Sequence, residues 1–500
     1  MWVLIVPGRC TVKSAVLRGA EAIPVDVEVA VTTGLPGFAV VGMVDAAVQE
    51  ARERVRVALK AAGFSMPGDR VLVNLAPSSL RKTGSGFDFA IAIGLLVASG
   101  QIDPVLVRDT LYVGELSLDG AVRPVTGMLA YALCARDLGL ALSCSVEADD
   151  FVPIDGLRQR GVNGLRDLRE PTFYQIGSAM PPAQDNAFDY REVSGNEVAK
   201  RALQIAAAGS HGILMMGPPG SGKTMLAARL PSILPPLDED EMLQVALIHS
   251  VAGEDVGPVL AGRRPFRAPH HSATGPGLIG GGSPIRPGEI SLAHMGVVFL
   301  DELAEFKNSV LQQIRQPLEQ GYVSISRADG NVVFPSRFML VAASNPCPCG
   351  YYGDPEHDCT CTSKQINDYQ NRIGGPLIDR IDLHIDVRRV PPEVVLNPDG
   401  GLSSAELREG VMAGREYASW RRATEGEGLT TQEVIASCHL DAADERFFEK
   451  TAQANHMSGR AIVRSLSVAR TIADMAQRKQ VNKSDLCEAL GFRIKDGIGG

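Results

Sequence analysis

Hydrophobic and polar positions alternate in short runs along the first third of the chain. The segment VDVEVAVTTGLPGFAVVGM, residues 25–43, alternates with the period of two strands on either side of a Gly/Pro turn. Residues 44–63 place apolar side chains at helical spacing and end on a glycine, and residues 87–100, FDFAIAIGLLVASG, are apolar enough for a buried helix. These patterns predict a mixed α and β domain over residues 1–170.

Two breaks in the pattern divide the rest of the chain. Residues 171–190 carry three prolines and no periodicity, which predicts a linker. Residues 191–392 alternate apolar strand patterns with helical ones, which predicts an α/β domain. After a Pro- and Gly-rich segment, residues 393–500 show almost only helical patterns. The expected fold class is therefore a multidomain α/β protein with a helical C-terminal domain.

Composition narrows the class of protein. Of the 500 residues, 45% are hydrophobic and 21% are charged, and the net charge of −9 excludes a globally basic nucleic-acid binder but leaves room for a local basic site. The apolar start is interrupted by Pro7 and Arg9 and lacks a charged leader, which favours a first strand over a signal peptide. The longest apolar run is about half the length of a membrane span. We therefore expect a cytoplasmic protein, in which thiols stay reduced.

The strongest motif in the chain follows the apolar strand pattern of residues 213–216. It reads G-x-x-x-x-G-K-T and leads into a helical pattern. In such a loop the backbone N–H groups surround phosphate oxygens, the lysine reaches the outer phosphates and the threonine hydroxyl binds Mg²⁺. A chance glycine-rich turn is the alternative, and the flanking strand and helix disfavour it. The predicted nucleotide-binding residues are Gly217, Pro218, Pro219, Gly220, Ser221, Gly222, Lys223 and Thr224.

Two further strand patterns end on polar residues. GVVFLDE, residues 296–302, places Asp301 as a Mg²⁺ partner and Glu302 as the carboxylate that polarises the attacking water. RFMLVAAS is followed by Asn345, whose amide can reach the γ-phosphate or that water. This order of P-loop, acidic strand and polar-ended strand resembles that of the AAA+ ATPases, which implies an ATP- and Mg²⁺-dependent ATPase.

The same resemblance assigns roles to arginines further along the chain. Arg380, in GGPLIDRIDLHIDV, resembles the arginine finger that reaches the γ-phosphate of a neighbouring subunit, which implies a ring. The alternative is a salt bridge to Asp379 or Asp382. Arg460 stands where AAA+ lids place a second sensor that contacts the nucleotide of its own subunit, and Arg464 is the substitute one helical turn later. Two solvated helix charges are the alternative for this pair.

Four of the nine cysteines fall in the short segment NPCPCGYYGDPEHDCTC. Four thiolates complete a tetrahedral zinc site, and clustered cysteines in a reducing compartment favour metal over disulfides. The alternative is four reduced thiols, with His357 as a possible substitute ligand. Zinc would hold in place the long loop that leaves Asn345. The predicted zinc ligands are Cys347, Cys349, Cys359 and Cys361.

Two segments between the P-loop and Asn345 are candidates for contact with DNA. Residues 262–294 form an insertion with several arginines and glycines, and residues 321–338 read as a β-hairpin with its turn at Asp329-Gly330. Repeated around a ring pore, such arginines would attract phosphates. The alternative is that they form structural pairs with Glu289 or with the acidic run 238–241. The candidate DNA contacts are Arg263, Arg264, Arg267, Arg286 and Arg327.

Four segments together carry a narrower resemblance, which covers nearly the whole chain. They are PFRAPHHSAT, GEISLAHMGVVFLDEL, NPCPCGYYGD and GPLIDRIDLH. They resemble the ComM/YifB group of the magnesium-chelatase-like AAA+ ATPases. This resemblance implies a hexameric ATPase that binds single- and double-stranded DNA. It also implies branch-migrating helicase activity in recombination or transformation.

The front domain resembles a protease domain without its catalytic groups. Residues 112–136 are similar to the Lon protease domain, a fold related to domain 2 of ribosomal protein S5, and the alignment puts Asp88 at the serine position and Leu129 at the lysine position. Ser85 and Lys82 lie nearby but out of register. Peptide hydrolysis therefore has neither nucleophile nor base.

Three other functions remain as alternatives. The first is a magnesium chelatase motor subunit, against which we count the presence of the front domain. The second is an ATP-dependent protease, which the missing catalytic groups disfavour. The third is an ATP-gated DNA-binding scaffold that does not unwind DNA.

Overall fold

The structure is a computed structural model that describes most of the chain. The backbone of residues 327, 330 and 373 is described, but their side chains are not. No helix within the described part is long and apolar enough to cross a membrane. The described residues are 8–148, 154–174, 188–282, 284–327, 330–373, 377–396, 401–426 and 430–493.

A seven-stranded mixed sheet forms the front domain. Its strand order is β3-β4-β2-β1-β5-β8-β9, while β6 and β7 form a separate two-stranded ribbon. Helix α2 is apolar on every side and is buried against β1 and β2, as its sequence predicts. The elements are β1 Arg9–Arg18, β2 Glu21–Thr32, β3 Gly37–Val41, α1 Ala46–Ala61, β4 Arg70–Ala76, α2 Asp88–Ala98, β5 Thr110–Tyr112, β6 Glu115–Leu116, β7 Val122–Arg123, α3 Met128–Asp137, β8 Ala141–Ser145 and β9 Gln159–Val162.

The middle of the chain is built on a five-stranded parallel sheet of order β11-β14-β17-β10-β18. Its central strands are buried over their whole length, as expected for a sheet covered on both faces. The elements are α4 Glu197–Gly209, β10 Ile213–Met216, α5 Lys223–Ala228, α6 Glu239–Ala252, α7 Gly257–Leu260, β11 Phe266–Arg267, α8 Gly275–Ile279, β12 Gly280–Gly281, β13 Arg286–Pro287, α9 Glu289–Leu292, β14 Val297–Leu300, α10 Asn308–Gln320, β15 Tyr322–Arg327, β16 Gly330–Pro335, β17 Met339–Ser344, α11 Ser363–Ile373, β18 Leu383–Asp386 and α12 Pro392–Leu396.

The C-terminal region is helical, which confirms its prediction. Polar residues such as Ser403 and Ser458 accept a backbone N–H at the helix starts. The first and fourth of these helices pack on α4, so this region and the parallel sheet share one hydrophobic core. The helices are α13 Ser404–Glu425, α14 Thr431–Ser437, α15 Ala442–Ala454, α16 Gly459–Met475 and α17 Lys483–Gly491.

The predicted linker and hairpin are described in part. Residues 175–187 of the linker lie outside the described residues, whereas Tyr190 at its end is fully buried and donates to the carbonyl of Leu226 at 2.8 Å. Strands β15 and β16 pair in antiparallel register, which confirms the hairpin, and its turn, residues 328–329, is not described.

The front domain packs directly on the middle of the chain. Leu129 of α3 belongs to a buried cluster with Leu237 and Val245, which lie before and within α6. Phe334 of β16 packs against α3 at Ala130. A Cβ at Gly19, in the β1–β2 turn, would collide with the Val332 side chain. The hairpin therefore packs against the front domain through Val332 and Phe334.

Candidate nucleotide-binding site

Three predicted parts of the site meet at one edge of the parallel sheet. The P-loop follows β10, Asp301 follows β14 and Asn345 follows β17, and the carboxyl ends of parallel neighbours lie side by side. The Thr224 hydroxyl donates to Asp301 Oδ2 at 2.7 Å, and Lys223 Nζ lies 3.4 Å from Asn345 Oδ1. The structure therefore brings together the side chains predicted to hold the phosphates and Mg²⁺.

The P-loop is anchored to the sheet by its first glycine and its lysine. A Cβ at Gly217 would collide with the Val387 carbonyl, so only glycine fits there. The Lys223 ammonium donates to the carbonyls of Gly217 at 2.8 Å and Pro218 at 3.0 Å. Burial lowers the pKa of Lys223, while the nearby carboxylates of Asp301 and Glu302 oppose that shift. The ammonium is thus desolvated and ready to meet phosphate oxygens.

Glu302 lies at the open side of this edge. Its side chain is 57% exposed, its backbone has a φ of +51°, and its N–H donates to Asp301 Oδ1 at 2.9 Å. His271, from the loop after β11, places Nδ1 at 3.5 Å from Glu302 Oε2. His271 is not among the residues predicted for the site. Its contact depends on how the insertion folds back over the sheet, and no local pattern reports that.

The four clustered cysteines form a compact sulfur group near Asn345. All four Sγ atoms lie within 4.8 Å of one another, and three pairs are 3.3, 3.5 and 3.7 Å apart. Four ligands about 2.3 Å from a zinc ion would be about 3.8 Å apart, so the group fits a tetrahedral zinc site. His357 is not part of it, because this ring stacks on Tyr351 and accepts from Arg389 at 3.1 Å.

Arg380 lies at the opposite edge of the sheet, before the first residue of β18. Its Nε donates to Glu319 at 2.6 Å, and Arg460 Nη2 lies 3.6 Å from the same carboxylate. The hydrogen bond from Arg380 holds the pKa of Glu319 below its usual range. The structure thus shows a salt bridge from Arg380 to Glu319, whereas the sequence suggested Asp379 or Asp382 as the partner.

Arg460 lies beside Arg380 and not at the P-loop edge. Strand β10 runs from the Arg380 edge to the P-loop edge, and its four residues span about 13 Å at about 3.3 Å each. The role implied for Arg460, contact with the nucleotide of its own subunit, stays a prediction. Both arginines share one carboxylate and one side of the molecule.

Arg464 joins the helical region to the sheet. It forms an ion pair with Asp382, whose other oxygen accepts from the Gly212 N–H at 3.1 Å and lies 3.4 Å from His211 Nδ1. Burial alone would raise the pKa of Asp382, but His211 and Arg464 outweigh it and hold this pKa at about 2. Arg464 is thus used as an anchor between α16 and β18.

Removing the Asp382 carboxylate is expected to weaken the contact between the C-terminal helices and the parallel sheet. Asp382→Asn should lower the free energy of unfolding at neutral pH by about 3 kcal/mol, because it leaves Arg464 without its buried partner. The depressed pKa contributes stability above the unfolded value of about 3.9, and this contribution is lost as the pH falls towards 2. Thermal unfolding of both proteins from pH 7 to pH 3 should therefore show a gap that narrows below pH 4. The exposed neighbour Asp379→Asn is the control, and an equal loss there would contradict the assignment.

Two of the candidate DNA contacts are engaged within the chain. Arg264 donates to Glu241 and to the carbonyl of Met295, both at 2.7 Å, and its side chain is 8% exposed. Arg267 donates to Glu289 at 2.6 Å. These two arginines therefore form the structural pairs, with the acidic run 238–241 and with Glu289, that were the alternative to DNA contact.

The remaining candidate DNA contacts differ in what surrounds them. Arg263 lines a cleft of about 300 Å³ beside Glu254. Arg286 is exposed on β13. The side chain of Arg327 lies outside the described part.

At the protease position of the front domain, the structure shows an ion pair. Asp88 is buried and accepts from Arg54 at 2.6 and 3.0 Å. Leu129 is buried against α6 in the domain interface. Ser85 donates to Glu115, and Lys82 donates to a backbone carbonyl. Ser85 and Lys82 are thus each hydrogen-bonded to a group other than one another.

One edge of the parallel sheet carries a P-loop after β10, an acidic residue after β14 that is bonded to the P-loop threonine, and an asparagine after β17. These features define a P-loop protein of the AAA+ class. Family models of magnesium chelatase match most of the chain. They are described as magnesium chelatase subunit ChlI, over residues 189–395, subunit ChlI of Mg-chelatase, over residues 27–143, and the C-terminal part of that subunit, over residues 401–493.

Whole-length relatives narrow the family. Competence protein ComM of Haemophilus influenzae is 42% identical over 96% of this chain and 97% of its own, and YifB of Salmonella typhimurium is 39% identical over 96% of each. The chain therefore belongs to the ComM/YifB family of magnesium-chelatase-like AAA+ proteins. The 67 kDa magnesium-chelatase subunit of Heliobacterium mobile is 27% identical over 34% of this chain and 29% of its own.

The front domain is also part of the chelatase family models. A family model described as a chelatase subunit covers residues 27–143, so the presence of this domain does not by itself separate the chain from a chelatase. The shared length does separate them, because ComM matches almost end to end and the 67 kDa subunit matches over less than a third of its length.

Proposed function

We propose that the protein is an ATP-hydrolysing motor that works as a ring, with six subunits as in the resemblance above, and acts on DNA. The main support for the proposal is that the predicted site is divided between two opposite edges of the sheet. The phosphate- and Mg²⁺-binding side chains lie at one edge of the sheet, and Arg380 and Arg460 lie at the other. One chain cannot bring the two halves together, whereas a second copy placed against the first can.

Within one subunit, the chain's own residues divide the work. Lys223 meets the outer phosphates of ATP, and the oxygens of Thr224 and Asp301 are the hard ligands that Mg²⁺ prefers. Glu302 orients and polarises the attacking water, and Asn345 lies where it contacts the γ-phosphate or that water. Thr224 and Asp301 would hold Mg²⁺, which would supply positive charge to the phosphates. The neighbour's Arg380 adds a second positive charge, beside that of Lys223, at the γ-phosphate.

DNA is the substrate class that we assign to the motor. The support is the near full-length match to a protein named for competence, together with the exposed Arg286 on the insertion next to the site. ATP hydrolysis should rise when forked or four-way DNA is added, and the forks should be unwound. If DNA stimulates hydrolysis but no strand is displaced, the protein is an ATP-gated scaffold. If DNA has no effect, the DNA part of the proposal is wrong.

The structure sharpens the choice of DNA-binding variants. Arg264 and Arg267 stabilise the fold, so the exposed Arg286 is the informative position. Replacing Arg286 with glutamine should weaken DNA binding and reduce the slope of log affinity against log salt by about one, for the one lost phosphate contact. Fluorescence anisotropy at several salt concentrations measures this. Arg446→Gln, an exposed arginine on α15, is the control, and an unchanged slope in Arg286→Gln moves the DNA contact elsewhere.

Zinc is the second cofactor that we assign, to the four-cysteine group. The sulfur distances support four thiolate ligands, and His357 is engaged elsewhere. Purified protein should contain about one zinc per chain, and thiol titration should find these cysteines unreactive until a chelator removes the metal. Replacing Cys487, which is exposed and distant in sequence, should leave the zinc content unchanged. Full thiol reactivity without metal release would overturn the assignment.

A magnesium chelatase motor is the second candidate, because three family models carry that name. It predicts that hydrolysis responds to a porphyrin-bound partner complex and not to DNA. Measuring both responses with the same preparation separates the two functions.

A further inference from the structure

The cysteine loop, residues 346–361, packs against the outer turn of the P-loop. A Cβ built on Gly350 would lie 2.6 Å from Cδ and 2.8 Å from Cγ of Pro219. The backbone of Gly350 has a φ of +87°, which glycine adopts without strain. The loop and the P-loop are therefore in direct contact at a position where neither side leaves room for another atom.

Arg389 joins the same two loops from a third element. Its Nη2 donates to the carbonyl of Pro219 at 3.2 Å, and its Nη1 donates to His357 at 3.1 Å. The guanidinium also lies over the Tyr351 ring, 5.4 Å from its centroid. Because the Val387 N–H donates to Met216 at 2.7 Å, Arg389 is fixed relative to the strand that carries the P-loop.

The cysteine loop has little structure of its own to hold this position. No helix or strand is assigned to residues 346–361, and its turns are organised around the sulfur group. The Cys349 N–H donates to Cys361 Sγ at 3.4 Å, and the Tyr352 N–H donates to Cys347 Sγ at 3.3 Å. A metal on the four sulfurs would therefore order the residues on both sides of Gly350.

We infer that the cysteine loop and Arg389 form a clamp on Pro219, so that metal on the four thiolates sets the affinity of the P-loop for nucleotide. Arg389 is a positioning residue in this clamp, because it acts on the P-loop backbone through Pro219. The inference rests on the proposed nucleotide site and zinc site. It adds that the metal acts on nucleotide binding itself, in addition to ordering the loop that leaves Asn345.

The first experiment measures binding without hydrolysis. The dissociation constant of a fluorescent ATP analogue is compared between full-length protein loaded with zinc and the same protein after a zinc-selective chelator. Hydrogen exchange of residues 217–222 is followed in parallel. The stripped protein should bind about tenfold more weakly, the effect of one lost hydrogen bond to a charged group, and its P-loop should exchange faster. Readdition of zinc should restore both.

Arg389 allows a test that leaves the metal in place. Arg389→Ala should weaken binding of the analogue by about tenfold at unchanged zinc content, because it loses the bond to the Pro219 carbonyl. Its exposed neighbour Arg388→Ala is the matched control and should bind as the unaltered protein does. Arg389→Lys, which keeps the charge but cannot reach both partners, should lie between the two.

A second-site variant tests the contact directly. Gly350→Ala should weaken nucleotide binding because the new Cβ displaces the Pro219 ring, and adding Pro219→Ala should recover part of the loss. Equal affinities with and without zinc, or an unchanged affinity in Arg389→Ala, would overturn the clamp. If the zinc-loaded protein fails to bind ATP analogue at all, the proposed nucleotide site is wrong instead.

Discussion

Glu302→Gln is expected to bind ATP with nearly unaltered affinity and to hydrolyse it at less than about one-hundredth of the original rate. The residues proposed to hold phosphate and Mg²⁺ are Lys223, Thr224 and Asp301, and all three remain in this variant. The amide is almost the same size as the carboxylate but cannot polarise the attacking water. Binding of a fluorescent ATP analogue and release of phosphate are the two measurements.

The control for this variant lies on the same short turn. Glu305→Gln removes an exposed carboxylate three residues further on and should change neither measurement. If Glu302→Gln hydrolyses ATP at the original rate, another group activates the water. His271, at 3.5 Å from Glu302, is then the first residue to examine, because it approaches the same region of the site.

The P-loop edge could be predicted because its residues are positioned by short stretches of chain. An apolar strand delivers the residue after it to the end of the sheet, so the order of strands was enough to place Lys223, Asp301 and Asn345 together. The four cysteines are also local, since their spacing within one loop limits how far apart the sulfurs can lie. The structure agrees with both predictions at the level of side-chain distances.

The rest of the site depends on contacts between segments that are distant in sequence, which no local pattern reports. The partner of Arg380 is Glu319 because α10 runs antiparallel to the strands and ends at their amino edge. Arg460 is placed by the packing of α16 on the same edge, which no motif near it reports. Arg389 lies in an inconspicuous segment, and only the fold shows that it touches the P-loop.

Arg380 and Arg460, which both contact Glu319, therefore lie on the side of the subunit opposite the P-loop. Glu319 gives them a partner in the single chain. In a ring, this side would meet the P-loop edge of a neighbour, where the phosphates carry more negative charge than one carboxylate does. The arrangement predicts that hydrolysis needs the P-loop edge of one subunit and Arg380 of its neighbour.

Mixing two inactive variants tests this division. Arg380→Ala keeps an intact P-loop edge, and Lys223→Ala keeps an intact arginine edge, so each alone should hydrolyse ATP at less than about one-hundredth of the original rate. In rings formed from an equal mixture, about a quarter of the interfaces should combine the two intact edges, if subunits mix at random. Phosphate release should therefore recover towards a quarter of the original rate.

The matched control mixes two variants that damage the same edge. Lys223→Ala and Glu302→Gln each disable the P-loop edge, so no interface in their mixed rings is complete and no recovery is expected. Glu319→Gln should retain hydrolysis, because its carboxylate holds the arginines only within the single chain. If the Arg380→Ala and Lys223→Ala mixture stays inactive while light scattering shows mixed rings, Arg380 does not act across the interface. Its bond to Glu319 would then be a structural salt bridge.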